Sequence, residues 1–94
     1  MQGNLGFWAA TIDRTLQTES RYRPIARQDV RTAGGLAGRR FEYVLGEGPS
    51  AHRYLVNVFV TRDHVFVIEA GGADAAFDHA RVDVEQAVRS FRPG

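Results

Sequence analysis

The sequence predicts an α+β domain: a four-stranded antiparallel sheet flanked by an N-terminal and a C-terminal helix, in the order α-β-β-β-β-α. Three observations carry this. Apolar stripes at helical spacing open and close the chain, Leu5 to Leu16 and Phe77 to Phe91. Four runs rich in β-branched and aromatic residues lie between them, broken by glycines or short polar turns. No helical pattern separates one strand from the next, so the strands form an antiparallel meander and not βαβ units.

Asn4 is the predicted N-cap of the first helix. Leu5, Trp8, Ala9, Ile12 and Leu16 then share one face, with Asp13, Arg14 and Gln17 mostly off it, and the helix runs to about Thr18. Tyr22 to Pro24 reads as a connector, because the residue before a proline is pushed out of helical geometry. Ala26 to Thr32 alternates loosely and ends at the turn signal Ala33-Gly34-Gly35. Leu36 to Leu45 places Phe41, Tyr43 and Leu45 on one face and Arg40, Glu42 and Val44 on the other.

Arg53 to Thr61 is the clearest strand. Tyr54, Val56, Val58 and Val60 share one face; Arg53, Leu55, Asn57 and Phe59 share the other. Apolar groups on both faces predict a central strand covered on both sides. A short polar turn, Thr61 to His64, leads to Val65–Ala70, and Gly71-Gly72 is expected to break that strand. Asp74 is the predicted cap of the last helix, whose stripe is Phe77, Ala80, Val84, Ala87, Val88 and Phe91. Asp78 and Asp83 lie toward its N-terminal half and Arg89 and Arg92 toward its C-terminal end, which complements the helix dipole; Pro93-Gly94 is expected to stop it.

The 94 residues make a single domain, residues 1–94. A formal net charge of +1 is too small to imply a nucleic-acid or membrane partner by bulk electrostatics. All twelve basic residues are Arg, a bias that, with the many Ala, Gly and Val, reads as codon pressure in a GC-rich, actinobacterial-like bacterial genome. With no Cys there is no disulfide or thiolate metal site. No run of apolar residues reaches the ~20 that a membrane-spanning helix needs. Met1 to Gly6 lacks the basic segment and apolar run of a signal peptide.

From Gln28 onward the chain resembles the PsbP-like fold, shared by DcrB-like bacterial lipoproteins and Mog-type Ran-binding proteins. The residues that carry the resemblance are Gly34-Gly35-Leu36-Ala37-Gly38-Arg39-Arg40-Phe41, the long strand Tyr54 to Val60, and Val65-Phe66-Val67-Ile68 after a short turn. Ala70-Gly71-Gly72 and the ending Ala87-Val88-Arg89-Ser90-Phe91-Arg92 complete it. In that family a helix like Asn4 to Thr18 precedes the strands, and longer members carry a further N-terminal hairpin before it. The resemblance implies a binding or scaffolding module without a shared active site, and it implies no particular partner. The compartment is left open: cytoplasmic as the chain stands, or cell envelope if it is part of a longer lipoprotein.

The chemistry-bearing residues are sparse. His52 and His64 bracket the predicted hairpin at opposite ends, roughly 25 Å apart at a strand rise of ~3.3 Å per residue, too far to share a metal. His79 stands alone on the last helix. Gly34 to Gly38 is followed by a strand, whereas a phosphate loop needs a helix there, so the glycines mark a hairpin or bulge. Glu69 is either a buried acid–base group or an edge carboxylate paired with an Arg. Arg39, Arg40, Arg53 and Arg62 would form a basic strip if they aligned, but interleaved acidic residues favour a self-neutralised surface. Phe7 and Trp8 are core or, where Phe7 is exposed, an interface anchor.

The leading expectation is a non-catalytic module that binds another protein or a small ligand, with no cofactor and no metal. Its contact lies on a sheet face that no helix covers, or in a groove beside the last helix, with Arg40, Tyr43, Arg53 and Asn57 as the binding residues. One alternative is a cone-shaped NTF-like isomerase or hydrolase enclosing an apolar cavity, with Glu69 or His52 as the base. Another is a domain that self-associates as a homodimer through an open sheet edge.

Overall fold

The computed structural model describes residues 4–73 and 76–93. Helix α1 (Leu5–Thr18) is followed by β1 (Arg23–Arg31), β2 (Ala37–Leu45), a 3-10 turn (Gly48–Ser50), β3 (His52–Val60), β4 (Val65–Ala73) and helix α2 (Phe77–Ser90). The strands form one antiparallel sheet in sequence order, β1-β2-β3-β4. This is the predicted α-β-β-β-β-α arrangement.

Asn4 caps α1 as predicted: its side-chain oxygen accepts the Phe7 N–H at 3.0 Å. The α1 stripe packs on β2 and β3, where Ala9, Phe41, Tyr43, Val56 and Val58 form a buried cluster with Leu5, Ile12 and Leu16 against it. Helix α2 packs on β3 and β4 across the opposite face, around Leu55, Phe77 and Val84 with Ile68 and Ala70 beside them. The alternation along β3 therefore feeds two cores, one under each helix. Each fully buried side chain of this size contributes ~2 kcal/mol of transfer free energy, so a chain this short needs both.

Two local expectations are corrected. Strand β1 begins at Arg23 and not Ala26, so Pro24 lies inside it. A proline is tolerated because β1 is an edge strand, and the register shifts between Pro24 and Ala26. Strand β4 runs on to Ala73 through Gly71 and Gly72, which pair with Tyr54 and Arg53. A Cβ on Gly71 would stand 3.2 Å from the Tyr54 ring, so the glycine makes room for that ring. The predicted Asp74 cap lies outside the described residues.

Gly38 is a second site of close approach. A Cβ there would stand 2.4 Å from the Phe59 ring and 2.8 Å from the Val58 carbonyl oxygen. Phe59 in turn stacks on Phe91, which also meets Phe66, at centroid separations of 5.3 and 5.0 Å. This ring trio anchors the end of α2. The β1–β2 turn is tied to the same end by a 2.9 Å bond from the Ala33 N–H to the Arg89 carbonyl. Its geometry is closed by Thr32, whose hydroxyl accepts the Leu36 N–H, and by Gly35 at φ +93°.

Candidate functional site

The polar residues predicted to bind a partner are divided between the two faces. Arg40, Arg53 and Asn57 lie under α2, whereas Tyr43 lies under α1. Tyr43 and Asn57 are fully buried and Arg40 is only 6% exposed. As a set they do not form an exposed patch. Arg39 and Arg40 point to opposite faces, and Arg62 lies in the β3–β4 turn, so no basic strip of Arg39, Arg40, Arg53 and Arg62 exists.

Under α2 these groups compensate one another. Arg40 donates from Nε to Asn57 Oδ1 at 2.7 Å and pairs with Glu85 of α2. Asn57 Nδ2 donates to the Ile68 carbonyl of β4 at 3.2 Å, so one side chain bridges β2 and β4. Glu42 sits between two guanidinium groups, pairing with Arg53 of β3 and accepting from Arg81 of α2 at 2.5 Å. Both arginines stand over the Phe77 ring, at 5.2 and 5.1 Å. Burial pushes the Glu42 pKa up, but the Arg81 and Arg53 hydrogen bonds and charges outweigh it and hold the carboxyl below its ordinary value. A carboxylate fixed in its charged form by two arginines is a clamp between helix and sheet, not an acid or a base.

Under α1 the polar groups are phenols. Tyr43 donates to Asp13 at 2.6 Å, and Tyr54 donates to Glu69 at 2.5 Å. Burial first, then the neighbouring carboxylate, pushes each phenol pKa well above its ordinary value. Glu69 is exposed, and its partner is Tyr54, not an arginine. The cleft that Glu69 lines with Ile68, Ala80 and Ala87, about 300 Å³, is open to solvent. His52 is exposed at the start of β3 and His64 lies in the turn at its far end. Among the described residues no three His, Asp or Glu side chains come together as a metal site would require. No helix among them is long and apolar enough to cross a membrane.

Of the interface candidates, Phe7 is 54% exposed and meets Trp8 edge-on at 5.2 Å, while Trp8 is half-buried. Phe7 thus meets the exposure condition for an anchor.

The β1 margin is a bare surface. Neither helix packs mainly on β1, and eight of its nine residues are exposed. Open clefts run along it on both faces. One of about 220 Å³ lies beside α2, between Gln28, Val30, Arg31 and Arg40 on one side and Val88 and Arg89 on the other. On the α1 side, clefts of about 340 and 350 Å³ are lined by Arg27, Asp29, Arg31 and Arg39. Arg40 forms part of the wall of the cleft beside α2.

The β1 arginines escaped the sequence reading. Their signal was the strand's poverty in apolar residues, which marks an edge strand with no cover, and the shared parity of Arg27, Asp29 and Arg31. Comparison with family models, curated proteins and solved structures finds no match to the chain.

Proposed function

We propose that the chain is a non-catalytic binding module of PsbP-like type that receives a protein partner at the β1 margin. The order of elements is the one the sequence predicts, a helix, a four-stranded antiparallel meander and a closing helix. The observation that carries the reading is the bare β1 strand, exposed along its length and flanked by clefts on both faces. These clefts are shallow and open, whereas a small-molecule pocket encloses most of its ligand. An uncovered edge also offers a row of backbone N–H and C=O groups to another chain. Arg40 contributes to the groove wall, while Tyr43, Arg53 and Asn57 hold the sheet and helices that shape it.

The test is site-specific photocrosslinking in cells that express the protein. A photoreactive side chain replaces Gln28 on β1 or, as the control, Val82 on the exposed side of α2. Defined protein adducts from position 28, with none from position 82, are the expected result. Adducts absent from position 28, or equal at both positions, would overturn the assignment.

A further inference from the structure

We infer that the occupant of the β1 margin is an extended acidic segment of another protein, added to the sheet as a fifth strand beside Ala26–Arg31. The inference rests on the β1 reading above and goes beyond it to the chemistry of the partner.

Charge is the first argument. Four clefts beside β1 are lined by five arginines, Arg27, Arg31, Arg39, Arg40 and Arg89, and three carboxylates, Asp13, Asp29 and Glu85. The rest of the chain holds seven arginines against eight carboxylates. A nearly neutral protein thus concentrates positive charge along its uncovered edge. Three of the five are engaged internally: Arg39 with Asp29 at 3.3 Å, Arg40 with Glu85, and Arg31, which donates to the Gly35 carbonyl at 2.8 Å. Arg27, Arg31 and Arg89 have no carboxylate partner among the described residues. All three are exposed. Arginine forks match carboxylates in bidentate geometry.

Register is the second argument. Pro24 lacks an N–H, and the ladder is irregular between Pro24 and Ala26. These features, with the arginines, protect the edge against indiscriminate pairing. From Ala26 to Arg31 the register with β2 is continuous, Ala26 opposite Glu42 through Arg31 opposite Ala37. That stretch can accept a strand. Arg27, Asp29 and Arg31 then point to the α1 face, and Gln28 and Val30 to the α2 face. An added strand places alternate residues beside these positions. Its acidic residues belong beside Arg27 and Arg31, with a neutral one beside Asp29. The intervening residues stand beside Gln28 and Val30, and small β-branched side chains suit a strand there. The recognised pattern is acidic, apolar, neutral, apolar, acidic. Recognition combines backbone pairing with side-chain selection, as in strand addition generally.

The experiment is an NMR titration of the full 15N-labelled chain with a peptide whose core is Glu-Val-Ser-Val-Glu, and with a matched peptide carrying Lys for Glu. The Glu peptide is expected to shift the amides of Ala26 to Arg31 and protect them from exchange, with affinity falling as salt is added. The double variant Arg27→Glu, Arg31→Glu alters only exposed side chains. It is expected to bind the Glu peptide at least about tenfold more weakly and to gain affinity for the Lys peptide. Equal binding of the two peptides at β1 would overturn the acidic partner and leave the β1 reading standing. Shifts confined to regions away from β1 would overturn both. Protection of β1 by concentration-dependent self-association, without peptide, would overturn the peptide in favour of a second copy of the chain.

Discussion

The two faces of the sheet bury polar groups in opposite ways. Under α1 the buried polar side chain is a neutral phenol, Tyr43, whose hydroxyl reaches Asp13 on the helix. Under α2 the buried polar side chains include ionised groups, Arg40 with Glu85 and the carboxylate Glu42 held between Arg53 and Arg81. A neutral donor can be buried with one hydrogen bond. A buried charge needs compensation on every side, and removal of one member leaves the others stranded. The α2 face should therefore be the fragile one, sensitive to single substitutions and to acid, while the α1 face should be robust in acid and sensitive only to strong base.

The largest expected effect tests packing on the α2 face. Gly38→Val puts a side chain where the Phe59 ring and the Val58 backbone already lie. Backbone cannot move aside as a flexible side-chain tip can, so we expect a loss of about 3 kcal/mol or more in urea unfolding. Gly71→Ala is the counterpart on the other face. Its nearest neighbour is the Tyr54 ring at 3.2 Å, which needs to give only slightly, so the loss should stay near 1 kcal/mol. Equal losses at the two glycines would erase the packing difference between the faces.

The next effect tests the ion cluster. Glu42→Gln removes the charge between Arg53 and Arg81, both of which remain partly solvated, so the expected cost is about 2 kcal/mol and not the larger loss of a fully buried pair. The pH dependence separates charge from shape. The folded-state pKa of Glu42 lies below its ordinary value of 4.5, so its stabilisation is present above that value and disappears as pH falls through the folded one. Wild type should lose this increment in acid, whereas Glu42→Gln should lack that limb. Parallel stability curves from neutral pH to pH 3 would contradict the clamp.

Much of this arrangement is legible in the sequence because it rests on periodicity. The stripe from Leu5 to Leu16 and the two apolar faces of Tyr54 to Val60 fix where the helices go. What escaped is non-local. Gly71-Gly72 resembles a strand break because glycine is a local breaker, but the Tyr54 ring that occupies its Cβ space comes from the neighbouring strand. Arg40 and Asn57 read as solvent-facing side chains on their own strands. They are interior because Glu85, far along the chain, meets Arg40, and because Asn57 reaches the Ile68 carbonyl. The basic β1 margin was hidden differently. Its arginines were visible, but only the sheet order shows that β1 is an uncovered edge.

The smallest effect belongs to the α1 face. Tyr43→Phe keeps the ring and removes one hydroxyl and its bond to Asp13, so about 1 kcal/mol should be lost at neutral pH. The sign of its pH dependence is opposite to that of Glu42. Folding raises the phenol's pKa, so the folded state holds the proton longer than the unfolded chain does. The tyrosine's contribution is full below its ordinary value of 10.0 and declines as pH rises above it. The gap between wild type and Tyr43→Phe should thus narrow above that pH, because phenylalanine has no proton to lose. Tyr54→Phe should behave alike with a smaller neutral-pH loss, since Tyr54 is less buried and its partner Glu69 is exposed to water. If instead the Tyr43→Phe gap kept its full size well above that pH, the buried Tyr43 proton would not be what the α1 face holds, and the contrast with the Glu42 clamp would fail.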